Sequence, residues 1–172
     1  RENHPVNCVT WQQAQRYCAY LGGRLPTESE WEYVARGSEG RRYPWGNASP
    51  SCDYAVMNNG QTHGCGTGHT MPVASKPKGA SPFGAMDMVG NVWEFVLDCH
   101  AYTFYKEGPS PLQDPQNPAC APGGRRGKRG VSYGNGTADL KYFRASFRGT
   151  WAYRGKSPRI GFRCVKPGPR LN

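Results

Sequence analysis

A chain of 172 residues is long enough to bury one hydrophobic core, so we expect a single domain over residues 1–172. Its 23 glycines and 15 prolines, beside a hydrophobic fraction of 37%, predict a loop-rich fold with little regular structure. No stretch approaches the roughly 18 consecutive apolar residues of a membrane helix, which argues against a membrane span in this chain.

The net charge of +10 is concentrated near the C-terminus, since residues 123–172 carry thirteen Lys/Arg and only Asp139 as an acid. Such a region can attract an acidic protein, an acidic lipid or nucleic acid. The competing explanation is that the arginines satisfy backbone carbonyls of an irregular fold. Nucleic-acid binding is disfavoured, because the sequence shows neither a recognition helix nor a known binding module.

Seven cysteines without a C-x-x-C zinc spacing favour an oxidising compartment, and thus an extracytoplasmic protein that is periplasmic, surface-bound or secreted. Cys52 and Cys65 bracket a Gly/Asn-rich loop, and we expect them to pair with each other. Of the others, Cys99 and Cys120 are the preferred pair. The odd number leaves at least one thiol unpaired, or paired outside this chain.

Two helices are predicted near the N-terminus. Thr10 with Gln13 forms a capping box, apolar residues at steps of three and four follow it, and Gly22-Gly23 ends that first helix. Thr27 with Glu30 repeats the pattern, which predicts a second helix from Glu28 to Arg36 that stops at Gly37.

The rest of the chain reads as turns, loops and short strands. Strands are predicted at 91–97, 131–133, 141–148 and 160–165, and residues 106–129 are predicted to form an exposed loop. Two early helices followed by short strands indicate an α+β domain.

Four phrases occur in a fixed order: GGRLPTESEWEY at 22–33, PWGN at 44–47, DMVGNVWE at 87–94 and RIGFRC at 159–164. Together they resemble the formylglycine-generating (sulfatase-modifying factor) family, whose fold is a variant of the C-type lectin fold. The resemblance implies that Trp31, Trp45 and Trp93 belong to the core. Family domains carry further strands upstream of the segment at 4–6, so this chain is expected to lack an N-terminal part of the domain.

The resemblance also implies a structural calcium ion in the DMVGNVWE phrase. Its ligands would be the side chains of Asp87 and Glu94 with the carbonyls of Gly90 and Val92, a mixed oxygen set that suits calcium. The alternative is that Asn91 and Glu94 only cap a turn. A second calcium site of the family is not expected, because its side-chain ligand is missing around residues 56–57.

One family disulfide corresponds to Cys18 and Cys164. The family enzyme oxidises a substrate cysteine with oxygen and a copper(I) ion held by two cysteines, since soft thiolates suit copper(I). The matching positions here are Asn135 and Leu140, so no copper and no such catalysis are expected. Among pocket residues, Ser132 and Arg148 match the enzyme and Arg159 replaces an asparagine.

We therefore predict a non-catalytic binding domain whose ligand is a protein or a small molecule, with an acidic ligand as one alternative. Aromatic and arginine side chains of the C-terminal loops are typical of recognition surfaces. The candidate binding residues are Ser132, Tyr133, Asn135, Tyr142, Arg148, Trp151, Tyr153, Arg154 and Arg159. Two alternatives remain open: an enzyme of the same family with different, non-copper chemistry, and a diversity-generating retroelement variable protein.

Overall fold

Four short strands form one mixed sheet in the order β3-β2-β1-β4. This arrangement comes from a computed structural model, which describes residues 2–107, 114–118, 120, 124–166 and 168. Strand β1 pairs antiparallel with β2 and parallel with β4, and β2 pairs antiparallel with β3. The strands are β1 (Trp93–Cys99), β2 (Arg125–Arg129), β3 (Gly149–Ala152) and β4 (Ile160–Phe162).

The two early helices are confirmed, and together with the sheet they confirm the predicted α+β class. Helix α1 spans Trp11–Tyr20 and helix α2 spans Glu28–Arg36, and both capping boxes are formed. Gly37 ends α2 with a φ of 67°, in the left-handed region that favours glycine. Two further helices are single turns, α3 (Phe104–Glu107) and α4 (Leu140–Phe143).

Strand β2 corrects the prediction that residues 106–129 form an exposed loop. Its sequence, RRGKR, places side chains alternately on the two faces of the sheet. On one face the Arg126 guanidinium lies 3.8 Å from the centroid of the Trp11 ring. On the other face the fully buried Arg129 bonds the carboxylates of Glu28 and Glu32. A basic run thus forms a central strand because aromatic rings and acids from distant elements accommodate its charges.

The strand predictions at 131–133 and 141–148 are wrong. Residues 140–143 form α4, and strand β3 begins only at Gly149, within a segment expected to be a loop. Phe143 and Ala145 are buried, and the Ala145 amide donates to the Arg42 carbonyl. Phe143 and Ala145 are therefore buried because α4 and the turn after it pack on the core, and not because the segment is a strand. The predictions at 91–97 and 160–165 coincide with β1 and β4, each with shifted ends.

Trp31 and Trp93 are buried, with 1% and 7% of their surface exposed. Trp45 is partly buried, and it stacks on Tyr43 on one side and on Tyr54 on the other. The indole N–H groups of Trp11 and Trp31 both donate to acceptors on β1. These aromatic rings therefore supply much of the buried hydrophobic core.

Three disulfides join Cys18 to Cys164, Cys52 to Cys65 and Cys99 to Cys120. Because all seven cysteines lie within the described residues, Cys8 is left as the single free thiol, and it is exposed.

Within the described ranges, no helix has the length and apolar character needed to cross a lipid bilayer.

Candidate ligand-binding site

A pocket of about 430 Å³ opens between the start of β1, the strands β2 and β3, and the loop that precedes β4. It combines two indole rings with two cationic and several uncharged polar side chains. The lining residues are Trp93, Lys128, Ser132, Asn135, Trp151, Ser157, Pro158, Arg159 and Ile160. Four of the predicted binding residues, Ser132, Asn135, Trp151 and Arg159, thus come together here.

Lys128 is the residue that the sequence prediction missed. It faces Phe95 across the β1–β2 pair, so its side chain shares a face with Trp93, two residues earlier on β1. Its ammonium lies 4.2 Å from the centroid of the Trp93 ring and 5.0 Å from that of Trp151. In the part of the chain that the structure describes, no carboxylate forms an ion pair with it.

Burial lowers the pKa of Lys128 to about 8, and the nearby Arg125 charge adds to this effect. A lysine in this environment is protonated at neutral pH but loses its proton far more readily than an exposed lysine. The pocket therefore contains either a poorly neutralised cation or, at mildly alkaline pH, a free amine.

The Ser132–Asn135 turn forms one polar wall of the pocket. The Ser132 hydroxyl donates to the Asn135 amide oxygen over 3.0 Å, and the Ser132 N–H donates to the same oxygen over 3.2 Å. The Asn135 backbone is held in turn by the Asn58 N–H, 2.8 Å from its carbonyl oxygen. Asn135 is therefore fixed in position by the side chain and backbone of Ser132.

Arg159 lies at the exposed rim of the pocket. Its guanidinium packs over the Tyr133 ring at 5.8 Å and approaches His63, with 3.4 Å between Nη2 and Nε2. It also lies directly against Gly134, where a Cβ would be 2.6 Å from Cζ, so a side chain at this position would displace the guanidinium. Among the described residues no acid pairs with Arg159 either.

Trp151 forms the wall opposite Trp93. Gly155 allows its ring to approach the backbone closely, since a Cβ at this glycine would lie 2.5 Å from the indole Nε1. The indole N–H is buried and has no hydrogen-bond partner in the described structure. The ring therefore contributes an apolar face and an unused donor.

The remaining predicted binding residues lie elsewhere. Arg148 bonds both carboxylate oxygens of Glu28 and lines a separate cavity of about 500 Å³ beside α2. Tyr142 packs on Phe147, Tyr153 packs on Trp11, and Arg154 is exposed. Leu140, the second position where the resemblance implies a copper ligand in the enzyme, is 44% exposed and is not part of the pocket wall.

The predicted calcium turn has a different arrangement of bonds from that expected of an ion site. Arg163 donates to both Glu94 oxygens at 2.6 and 2.7 Å, and the Trp31 N–H donates to one of them. Asp87 accepts the Ala74 N–H, and its burial raises its pKa. Protein donors thus bond both carboxylate oxygens of Glu94. A calcium ion could bind this carboxylate only if Arg163 released it. Calcium at Asp87, Gly90, Val92 and Glu94 remains a prediction, which metal analysis of the purified protein would test.

Comparison with known proteins places this geometry in context. Residues 1–167 match the sulfatase-modifying factor enzyme 1-like domain. The formylglycine-generating enzyme of Streptomyces coelicolor is 38% identical over 174 residues, covering 96% of this chain and 53% of that enzyme. The chain therefore spans about half the length of this relative.

Two solved structures are similar to the whole domain. PvdO from Pseudomonas aeruginosa aligns with a TM-score of 0.73 and 27% identity, over 93% of this chain and 60% of PvdO. Treponema denticola variable protein 1 aligns with a TM-score of 0.60 and 28% identity, over 84% of this chain and 48% of its own. The predicted C-type lectin-like fold is confirmed.

Proposed function

Because this chain belongs to the sulfatase-modifying factor enzyme 1-like family, we propose that it is a non-catalytic ligand-binding domain of that family. The observation that carries the proposal is the pocket around Lys128 and Arg159, two cations that have no acidic partner among the described residues. The ligand we propose is a small molecule or a peptide end that combines an acidic group with an apolar body.

The Lys128 ammonium is partly removed from water and has no acidic partner among the described residues. A cation removed from water is destabilised unless an anion or strong acceptors replace the lost hydration. The indole faces of Trp93 and Trp151 replace part of it through cation–π contacts. A bound carboxylate would replace more, and the same two rings would contact the apolar part of the ligand.

The cysteine pairing supports the absence of copper chemistry. Six of the seven cysteines are in disulfides, so a copper(I) site made of two thiolates would require one of those bonds to be reduced. Asn135, at the first position that the resemblance implies, presents its oxygen to Ser132. The three disulfides also support an extracytoplasmic location.

The test of binding uses benzoate, with neutral benzamide as the matched ligand, and follows tryptophan fluorescence and calorimetry. We expect wild-type protein to bind benzoate more tightly than benzamide. Lys128→Met should weaken benzoate binding at least about tenfold, which corresponds to about 1.4 kcal/mol. The control is Lys141→Met, because Lys141 is exposed beside Tyr142 and lies outside the pocket.

The pH dependence gives a second readout of the same site. An anion favours the protonated lysine, so bound benzoate should raise the pKa of Lys128 above about 8. Affinity should therefore be constant below that pH and decrease as the pH rises through 8. Equal binding of benzoate and benzamide, or a loss that is the same in both lysine variants, would contradict the proposal.

An enzyme of the same family with different, non-copper chemistry is the competing function. The 38% identity to a formylglycine-generating enzyme favours an enzyme in general. Copper chemistry is tested separately: purified protein supplied with copper, reductant and oxygen should leave a cysteine peptide bearing the sulfatase motif unchanged. Aldehyde formation above a no-protein control would show copper chemistry and overturn the non-catalytic proposal. Likeness to the Treponema denticola variable protein supports the third alternative, a variable binding protein.

A further inference from the structure

The two cations of the pocket, neither of which has an acidic partner in the described ranges, differ in chemistry and in depth. Lys128 presents a primary amine enclosed between two indole rings, whereas Arg159 presents a guanidinium at the exposed rim. A guanidinium stays protonated and binds carboxylates in a bidentate manner. A buried amine can lose its proton and act as a nucleophile. A ligand that uses both groups needs an anionic end and an electrophilic carbon.

We propose that the pocket binds small oxo acids covalently, with Lys128 Nζ forming a Schiff base at the carbonyl carbon and Arg159 binding the carboxylate. This inference rests on the proposed function, because it specifies the ligand of the same pocket.

The chemistry is balanced without any further reactant. The unprotonated amine of Lys128 adds to the carbonyl carbon to give a carbinolamine, which then loses one water molecule to give the imine. No oxidant or reductant takes part. The hydroxyl of Ser157 and the Ser132–Asn135 turn line the same pocket, where they can hydrogen-bond the carbinolamine oxygen.

The environment of the amine supports this reactivity. The charged group that acts on it is cationic, namely Arg125 on the same strand, and the pocket residue Arg159 on the facing loop is cationic as well. With a pKa of about 8, roughly a tenth of Lys128 is unprotonated at pH 7, against well under one in a thousand for an exposed lysine. Lys128 is therefore distinguished from an ordinary exposed lysine by charge state as well as by enclosure.

The experiment traps the imine by reduction. Wild-type protein is incubated with glyoxylate and cyanoborohydride, and carboxymethylation of each lysine is followed by peptide mapping. We expect Lys128 to be modified at least about tenfold faster than the exposed Lys141 at pH 7, because burial lowers the pKa of the Lys128 amine. The rate at Lys128 should level off above about pH 8, where its amine is already largely unprotonated.

Two variants separate the roles of the cations. Lys128→Arg keeps the charge but removes the nucleophile, so the fast phase should disappear while the other lysines are modified at the wild-type rate. Arg159→Gln should slow trapping by glyoxylate but leave trapping by formaldehyde, which has no carboxylate, unchanged. Circular dichroism of each variant confirms folding, and Lys128→Met replaces Lys128→Arg if the latter does not fold.

The outcomes distinguish the two proposals. Uniform modification of all lysines, with benzoate binding intact, would overturn the Schiff base and leave the ligand-binding function standing. If wild-type protein shows neither benzoate binding nor selective trapping, both proposals are overturned. Selective trapping of Lys128 that does not depend on Arg159 would overturn the assignment of oxo acids and point to uncharged aldehydes.

Discussion

Replacing Glu28 with glutamine should lower the free energy of unfolding by about 3–5 kcal/mol. Glu28 is 1% exposed, and its carboxylate bonds the fully buried Arg129 and the partly exposed Arg148. Without that charge, Arg148 would lose this ion pair, and Arg129 would keep only Glu32, which also pairs with Arg36. Denaturant unfolding with the disulfides intact measures the effect.

The matched control is Glu39→Gln. Glu39 also pairs with an arginine, Arg41, but its side chain is 72% exposed, so the loss should stay below about 1 kcal/mol. If both variants lost the same stability, the buried network would not contribute more than a surface ion pair.

Replacing both Cys18 and Cys164 with alanine should cost about 4–5 kcal/mol of stability, because the disulfide closes a long loop in the unfolded chain. The two cysteines are 146 positions apart, and their bond ties α1 to the segment that follows β4. We expect a lower denaturant midpoint than for wild type under non-reducing conditions.

The comparison variant removes Cys52 and Cys65, which are only 13 positions apart. The shorter loop predicts a smaller loss, about 3 kcal/mol in the chain-entropy account. A larger loss for this pair than for Cys18 and Cys164 would show that native contacts, and not loop closure, determine the contribution of each bond.

The helices could be predicted because their signals are local. In both α1 and α2, the N-cap threonine and the residue whose side chain bonds back to its N–H are three positions apart. This short spacing can be read directly from the sequence. The phrases around Trp31 and Trp93 identified the family for a similar reason, since each is a continuous run of residues.

Strand β2 could not be predicted because its stabilising partners are remote. Arg129 bonds Glu28, 101 positions away, and Arg126 packs on Trp11 from the first helix. Taken alone, the sequence RRGKR is typical of a solvent-exposed basic loop. Strand β3 was missed as well, since four residues with two glycines nearby give too short a pattern to separate from a turn.

Part of the candidate site could be predicted, because some of its residues carry a local signal in the sequence. Ser132, Asn135 and Arg159 lie at positions that the resemblance relates to the pocket of the family enzyme, and Trp151 was expected as a large aromatic in a recognition segment. Lys128 was overlooked because its role depends on β2 being a strand. The available signal was its alternation with Arg126, which places both cations on the face that carries Trp151.

The bridges between the first and last described segments affect how this fold can come apart. Asn7 bridges Gly161, and Arg24 bridges Val165, so segments more than 140 positions apart in the sequence lie side by side. Contacts of such large sequence separation form only when most of the intervening chain is ordered. Neither segment can move away without breaking the two backbone hydrogen bonds between Arg24 and Val165, so each holds the other in place.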